Sequence, residues 1–439
     1  MLKRPNPNVV IAGTGPTGLF GALCLVDQGV AIEILSPTER DPALRRRSSN
    51  AAVVLLHPGS LALLHRRGVA AAVLERGRRV PAIRVYRGRE CAGEVSFEKL
   101  SRGSGLPFDF AVCVSRADLE QCLREALRAR RVEVHDQQRL ARFEQGNARV
   151  RVTIDHLASD SAGYAIAHSG LVVDKSEDIE PEFVLAADGP QSVVRQQLAL
   201  ALSELRPSER YLAVEGRATS PAPDAAALGF DAGASSAMWP LADGRQHGIF
   251  IVSTTDLEML GLPDASVHTA PGARARLDPE RLSAWVSLRT PWLGGALTEL
   301  EARGPFHAHH RLASSFGRGR IWLAGAAAHS GSPLSSLSTN VGLSDAAELA
   351  DIFASARHGA APLEALAAYD AGQRERWQHL LEPVSRGRQP AAATPRAPAG
   401  EHRHRFGAAA PAPGFDALLA RLTSDPWSSL LEFGTTAAD

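Results

Sequence analysis

The sequence predicts an α/β protein: a Rossmann-like nucleotide-binding domain with an inserted mixed β-sheet. Three observations carry this. An apolar run at 9–12 ends in a glycine turn and passes into a helix of small and apolar residues; two later segments, near 183–195 and 321–346, return to a strand followed by a turn; and the stretch 201–309 reads as short strands. At 439 residues the chain is too long for one ordinary core, so two joined domains are expected. It is 44% hydrophobic and 22% charged, and 48 basic residues balance 48 acidic ones, which offers no electrostatic basis for a nucleic-acid partner. The four cysteines, Cys24, Cys91, Cys113 and Cys122, show no metal or redox spacing and read as thiols of a reducing cytoplasm. The first residues lack a signal-peptide pattern, and no run reaches about 18 apolar residues, so neither export nor a membrane span is expected.

Taken in order, "NVVIAGTGPTGLFGALCLVDQGVAIEIL" is a βαβ unit. A polar loop follows from Arg45, then a strand-like run and a helix "SLALLHRRG" that stops at Gly68. Residues 80–110 alternate like strands. "SRADLEQCLREALRAR" is a helix with Ser115 as N-cap and an apolar stripe of Leu119, Cys122, Leu123 and Leu127. A hairpin-like region spans 132–185, where "ARVRVTI" alternates at period two and "LASDSAGYAIAHSG" reads as a loop. "EFVLAADGPQSVVRQQL" is strand, turn and helix. "YLAVEGRA", "SAMWPLA" and "HGIFIVST" are strands, "LDPERLSAWVSL" a helix, and a long helix is expected from about Asn340 to Ala356. Residues 389–413 form a Pro/Ala-rich linker and 414–439 a helical tail.

Gly13, Gly15 and Gly18 form GxGxxG between a strand and a helix. Gly13 permits the turn, Gly15 lets the backbone approach a pyrophosphate, Gly18 lets helix and strand pack closely, and Glu33, twenty residues beyond Gly13, can accept ribose hydroxyls. The alternative is a glycine turn that only packs. In "VLAADGPQSVVR", Asp188 either caps the turn or serves a ligand, with Gly189 and Arg195 beside it. His307, His309 and His310 place two imidazoles on one face of a strand, but no third ligand has a fixed spacing and no metal site is expected. Trp239 and Pro240 either line a cavity or fill the core.

The N-terminal fingerprint, the "DG…S..R" turn and the segment "LAGAAAHSGSPLSSLSTNVGLSDA", in this order, resemble the group A flavoprotein monooxygenases, the p-hydroxybenzoate hydroxylase-like family, over residues 8–385. The resemblance implies a domain of the FAD/NAD(P)-binding type over 1–80, 110–200 and 310–388, and a substrate domain over 81–109 and 201–309. It implies FAD as cofactor, held by Gly13, Gly15, Gly18, Glu33, Arg116, Asp188, Gly189, Arg195, Gly325, Ala326, Pro333 and Gly342. His329, Asn340 and Arg116 are the polar groups nominated for catalysis. NAD(P)H would reduce the flavin, and one oxygen atom would pass to an aromatic or polyketide-like small molecule of secondary metabolism. A monomer or homodimer in the cytoplasm is expected.

The family pattern is not complete here. Ala326 stands where the family has the aspartate that holds the ribityl chain, and Ser335, Ser336 and Ser338 stand where glycines are usual. Losing one charge-assisted hydrogen bond removes about 1.5–3 kcal/mol, roughly ten- to a hundredfold in FAD affinity. The same departures motivate an alternative function, a non-redox cyclase or isomerase on this fold with FAD structural or lost. The arginine that often precedes the "LHPGSLALL" segment has Arg45, Arg46 and Arg47 as its candidates.

Overall fold

A computed structural model of the chain describes residues 6–37, 53–159, 171–219, 224–231, 234–262, 277–302, 305–356 and 362–381. The linker at 389–413, the tail at 414–439 and Arg45 to Arg47 lie outside the described residues.

Strand β1 (Val9–Ala12) is buried along its whole length, as an all-apolar strand covered on both faces must be. It lies inside a six-stranded sheet ordered 317–318, 321–323, 183–186, 9–12, 32–36 and 135–136. All pairings are parallel except that of the outermost strand, Gly317–Arg318. Parallel strands present their C-terminal ends on one edge, and there the chain makes three successive turns, at Gly13, at Ala187 to Gly189 and at Gly325. Helix α1 (Pro16–Val26) covers this sheet and packs against the helices Arg116–Ala129 and Leu337–Ala356. The last of these starts a turn earlier than the expected Asn340. Ser115 caps the 116–129 helix by accepting from Asp118 N at 3.0 Å.

The second sheet has nine strands, ordered 329–330, 306–313, 202–218, 245–251, 234–240, 226–231, 82–87 and 90–96, with 297–302 also paired to 202–218. It is mixed, because Ala226–Asp231 pairs parallel to Ala82–Arg87 while its other neighbours are antiparallel. Alternation sorts its side chains. One face carries Ile83, Val85, Tyr211, Trp239 and Ile249 and packs with Leu55 and Leu334 of the nucleotide-type part. The other carries Met238 and Phe250 and is covered by the helices Thr254–Leu260 and Pro279–Arg289. Two three-stranded antiparallel sheets complete the fold. The strand Val150–Ser159 runs into the stretch read from sequence as loop, because its last residues still pair with 171–173. Among the described residues no helix is long and apolar enough to cross a membrane.

Candidate active site

The glycine turn after β1 is built by close approach. Gly13 has φ +105°, and a Cβ there would come within 2.3 Å of the Ala187 carbonyl oxygen; one on Gly18 would come within 2.2 Å of the Gly13 oxygen. Only hydrogen fits at either position. Gly15 differs: it is the N-cap of α1, and an added Cβ would meet only the Arg116 guanidinium, at 3.0 Å. The free amides at the start of α1 and the Arg116 cation thus converge on one open spot, which is what a pyrophosphate requires. Arg116 is held there by Glu120, at 2.7 Å from its Nε.

Glu33 is not brought to this turn. It is the second residue of Ile32–Ser36 and pairs with Val10, and Ser36 ends the strand. Three residues of strand, roughly 10 Å, separate the two positions. The Ser36 hydroxyl is buried 2.8 Å from that of Thr14 inside the glycine turn, while the Glu33 carboxylate lies 3.9 Å from His135 Nε2. Ser36 therefore takes the place the sequence reading gave to Glu33. Counting to the end of the apolar run, rather than to the nearest acid, would have found it.

At the middle turn, one oxygen of Asp188 (Oδ2) accepts from Val194 N at 3.2 Å, while Oδ1 is buried with no hydrogen-bond partner among the described residues. Burial holds this carboxyl above its usual range. Gly189 has φ +85° and open space around it. Arg195 is buried and donates to Ala327 O at 2.8 Å and Pro190 O at 3.0 Å, so it ties the middle turn to the third turn and does not face a ligand.

The third turn is tightly interlocked. A Cβ on Gly325 or on Gly342 would come within 2.6 or 2.5 Å of Thr17 Oγ1 in α1, so both glycines serve helix packing. Asp345, fully buried, accepts from Gly325 N at 3.0 Å, and its Oδ2 lies 2.6 Å from His329 Nε2. The His329 ring stacks on Trp377 with centroids 4.1 Å apart. His329, nominated above for catalysis, spends its Nε2 on this internal pair, while its Nδ1 and Asp345 Oδ1 are buried with no hydrogen-bond partner among the described residues.

Asn340 is likewise engaged with the backbone: it accepts from His57 N at 2.9 Å and donates to Leu55 O and Ser336 O. It joins the long helix to Val53–Leu56 and borders a groove of about 540 Å³ shared with His57, Ser60, Arg66, Ser344 and Arg376. Burial lowers the His57 imidazole to about 4.

The serines of this segment have found partners in the protein. Ser336 keeps the left-handed backbone expected of a glycine, φ +52°, and its hydroxyl accepts from Leu55 N at 3.1 Å. That bond, worth about 1 kcal/mol, offsets much of a left-handed penalty of about 1–2 kcal/mol. Ser338 accepts from Gly331 N at 3.0 Å. The Ser335 side chain lies outside the described residues. Pro333 opens a short 3-10 turn capped by Ser332. Ala326 is the one residue of 321–329 that is not buried. Trp239 is fully buried on the sheet face that meets Leu334, and its indole N–H has no partner among the described residues.

The parallel sheet with its glycine turn, the open amide and guanidinium cradle, and the unpaired Asp188 oxygen define a dinucleotide-binding flavoprotein fold, and the residues present fit FAD. The chain belongs to the FAD binding domain family, whose profile matches residues 6–383. It is 25% identical over 390 residues to para-nitrophenol 4-monooxygenase of Pseudomonas sp. (strain WBC-3), covering 86% of this chain and 85% of that protein. It is 27% identical to 6-methylpretetramide 4-monooxygenase of Streptomyces rimosus, covering 84% of this chain but only 59% of that longer protein. The crystal structure of p-nitrophenol 4-monooxygenase PnpA from Pseudomonas putida DLL-E4 superposes with a TM-score of 0.66 at 21% identity, over 87% of this chain and 88% of that one, a likeness of fold.

Proposed function

We propose that this protein is an FAD-dependent monooxygenase that uses NAD(P)H to hydroxylate a phenolic or polyketide-derived aromatic small molecule, as a monomer or homodimer in the cytoplasm. When bound, the flavin supplies oxygen activation. The chain's own residues bind and orient it. The start of α1 with Arg116 holds the pyrophosphate, Ser36 and Thr14 offer hydroxyls at the ribose end, and the unpaired oxygen of Asp188 accepts from a cofactor hydroxyl. The 331–336 loop, braced by Ser336 and Ser338, presents Pro333 and backbone toward the ring, with the nine-stranded sheet behind it.

The open cradle over Gly15 carries this reading. It is tested by purifying the full chain and recording its visible spectrum, with and without added FAD, before and after NADPH or NADH. Flavin absorbance that the nicotinamide bleaches is expected. No bound flavin after FAD is added, or bound flavin that neither nicotinamide reduces in the presence of phenolic substrates, would refute it and favour a non-redox reaction such as cyclisation.

A further inference from the structure

The groove of about 540 Å³ that Asn340 borders shares no residue with the dinucleotide cradle. It opens between the helix Pro58–Arg66, the start of the helix Leu337–Ala356 and residues 105–107. Its walls are apolar at Ala62, Leu63, Leu106, Pro107 and Val341. Its rim is basic: His65, Arg66 and Arg376 line it, and among the described residues no aspartate or glutamate does. His65 and Arg66 are exposed at the end of their helix, and the His65 ring meets Phe108 edge-on with centroids 5.6 Å apart, which fixes the wall made by 105–107. Arg376 stands on the last described helix, Pro362–Leu381, and donates to Gln373 Oε1 at 3.1 Å. Glu348, whose carboxyl feels the Arg376 charge, accepts from Gln373 Nε2 at 2.8 Å.

An apolar trough with a rim of one sign suits an amphipathic helix of the opposite charge. The chain itself contains such a segment. Residues 415–422, "FDALLARL", place Phe415, Leu418, Leu419 and Leu422 at the i, i+3, i+4, i+7 spacing of one helical face. A second stretch, 426–433, adds Trp427, Leu430, Leu431 and Phe433. Over 414–439 the acids Asp416, Asp425, Glu432 and Asp439 stand against a single Arg421. The tail is therefore acidic in a chain whose 48 basic and 48 acidic residues balance.

Reach favours this occupant over a separate molecule. The helix Pro362–Leu381 ends five residues beyond Arg376, about 8 Å along its axis. From there residues 382–414 make a connection whose end-to-end distance as a flexible chain is roughly 30 Å, and longer where proline stiffens it. Such a tether holds the tail near the groove at an effective concentration of about a millimolar. A segment this short forms little helix by itself in water and needs a surface to bury its leucines.

We infer that the segment 415–433 of this chain docks as a helix in the groove beside Pro58–Arg66. Phe415, Leu418, Leu419 and Leu422 face Leu63, Leu106 and Val341, and the tail's acids meet Arg66, Arg376 and His65. The leucine face supplies the affinity, because ion pairs at a wet rim add little; the charges set orientation and choice of partner. Docking also covers the place where Asn340 joins the long helix to Val53–Leu56, and it shields those hydrogen bonds from water.

Hydrogen exchange of the full-length protein tests this, read by mass spectrometry on peptides covering 415–433, with the buried helix α1 as a control for folding. At millimolar effective concentration, a segment with a Kd of about 0.1 mM for its groove is docked about ten times as often as it is free. Its amides should therefore exchange about tenfold more slowly than those of the same segment as a free peptide. Leu418→Asp with Leu422→Asp should abolish the protection. Arg66→Glu with Arg376→Glu should lower it severalfold, and adding Asp416→Arg with Asp425→Arg to that protein should restore it, with α1 unchanged throughout. Tail amides as fast as the free peptide, protection indifferent to either pair of single-sign changes, or a charge exchange that restores nothing would each overturn docking in this groove. Protection that grows with protein concentration would give the groove to the tail of a second copy and overturn it as well. No step involves flavin, so the outcome is separate from that of the monooxygenase reading.

Discussion

Ala326→Asp places a carboxylate at the one position of 321–329 that reaches solvent. In the free protein the new group is hydrated, so its cost should stay within about 0.5 kcal/mol, as for most surface changes. With FAD bound it can accept from a ribityl hydroxyl, and a hydrogen bond to a charged group is worth about 1.5–3 kcal/mol. At 1.4 kcal/mol per decade that is roughly a ten- to hundredfold fall in the FAD Kd. Asp188 closes the neighbouring turn with its own carboxyl, and repulsion between the two trims the gain toward the tenfold end. The assay is quenching of FAD fluorescence on titration with flavin-stripped protein, run beside Ala326→Asn, whose neutral amide should gain only about two- to tenfold. An unchanged Kd for Ala326→Asp, or equal gains for Asp and Asn, would refute the reasoning that this turn faces the ribityl chain through a missing charge.

Two other predictions separate structure from binding. Gly15→Ala meets only the flexible end of Arg116, so its melting temperature should hold while FAD affinity falls; Gly13→Ala meets the Ala187 carbonyl at 2.3 Å and should unfold at clearly lower temperature. Equal thermal losses in the two variants would contradict the assigned roles. His57 is a base whose folded pKa, lowered by burial to about 4, lies below the ordinary imidazole value of 6.5, so the unfolded chain binds the proton more readily. Its contribution is therefore fully present above pH 6.5 and is lost as pH falls toward 4, about 3 kcal/mol in all at 1.36 kcal/mol per unit. Chemical denaturation across that window should show a steeper acid loss for wild type than for His57→Gln, and parallel profiles would count against it.

Much of the site was legible because local rules govern it. GxGxxG after an apolar run needs a strand, a turn and a helix, and the turn contacts of Gly13 and Gly18 follow from that geometry. Polar residues proved harder to read, since a side chain's type does not say which way it faces. His329 and Asn340 look reactive in one dimension, yet their hydrogen bonds go to Asp345 and to the backbone of 55–57 and 336. Glu33 was the nearest acid in the sequence, but strand ends are set by pairing, and pairing ends the strand at Ser36. Serines standing where glycines are usual were among the departures that motivated a structural or lost FAD, whereas Ser336 retains the left-handed backbone.

By itself the sequence determined the α/β class, the dinucleotide turn and the order of the three motifs, because these depend on residues close together in the chain, where hydrophobic period and glycine sterics decide the outcome. Only the tertiary structure decided which polar groups are spent inside the fold and which are left with an open valence. Asp188 Oδ1 was indistinguishable from a satisfied atom until the strand 183–186, more than a hundred residues from either partner, was paired with 9–12 and 321–323. Long-range register and burial assign hydrogen-bond partners, and in this protein those partners separate the groups that hold the fold from the groups that can meet a ligand.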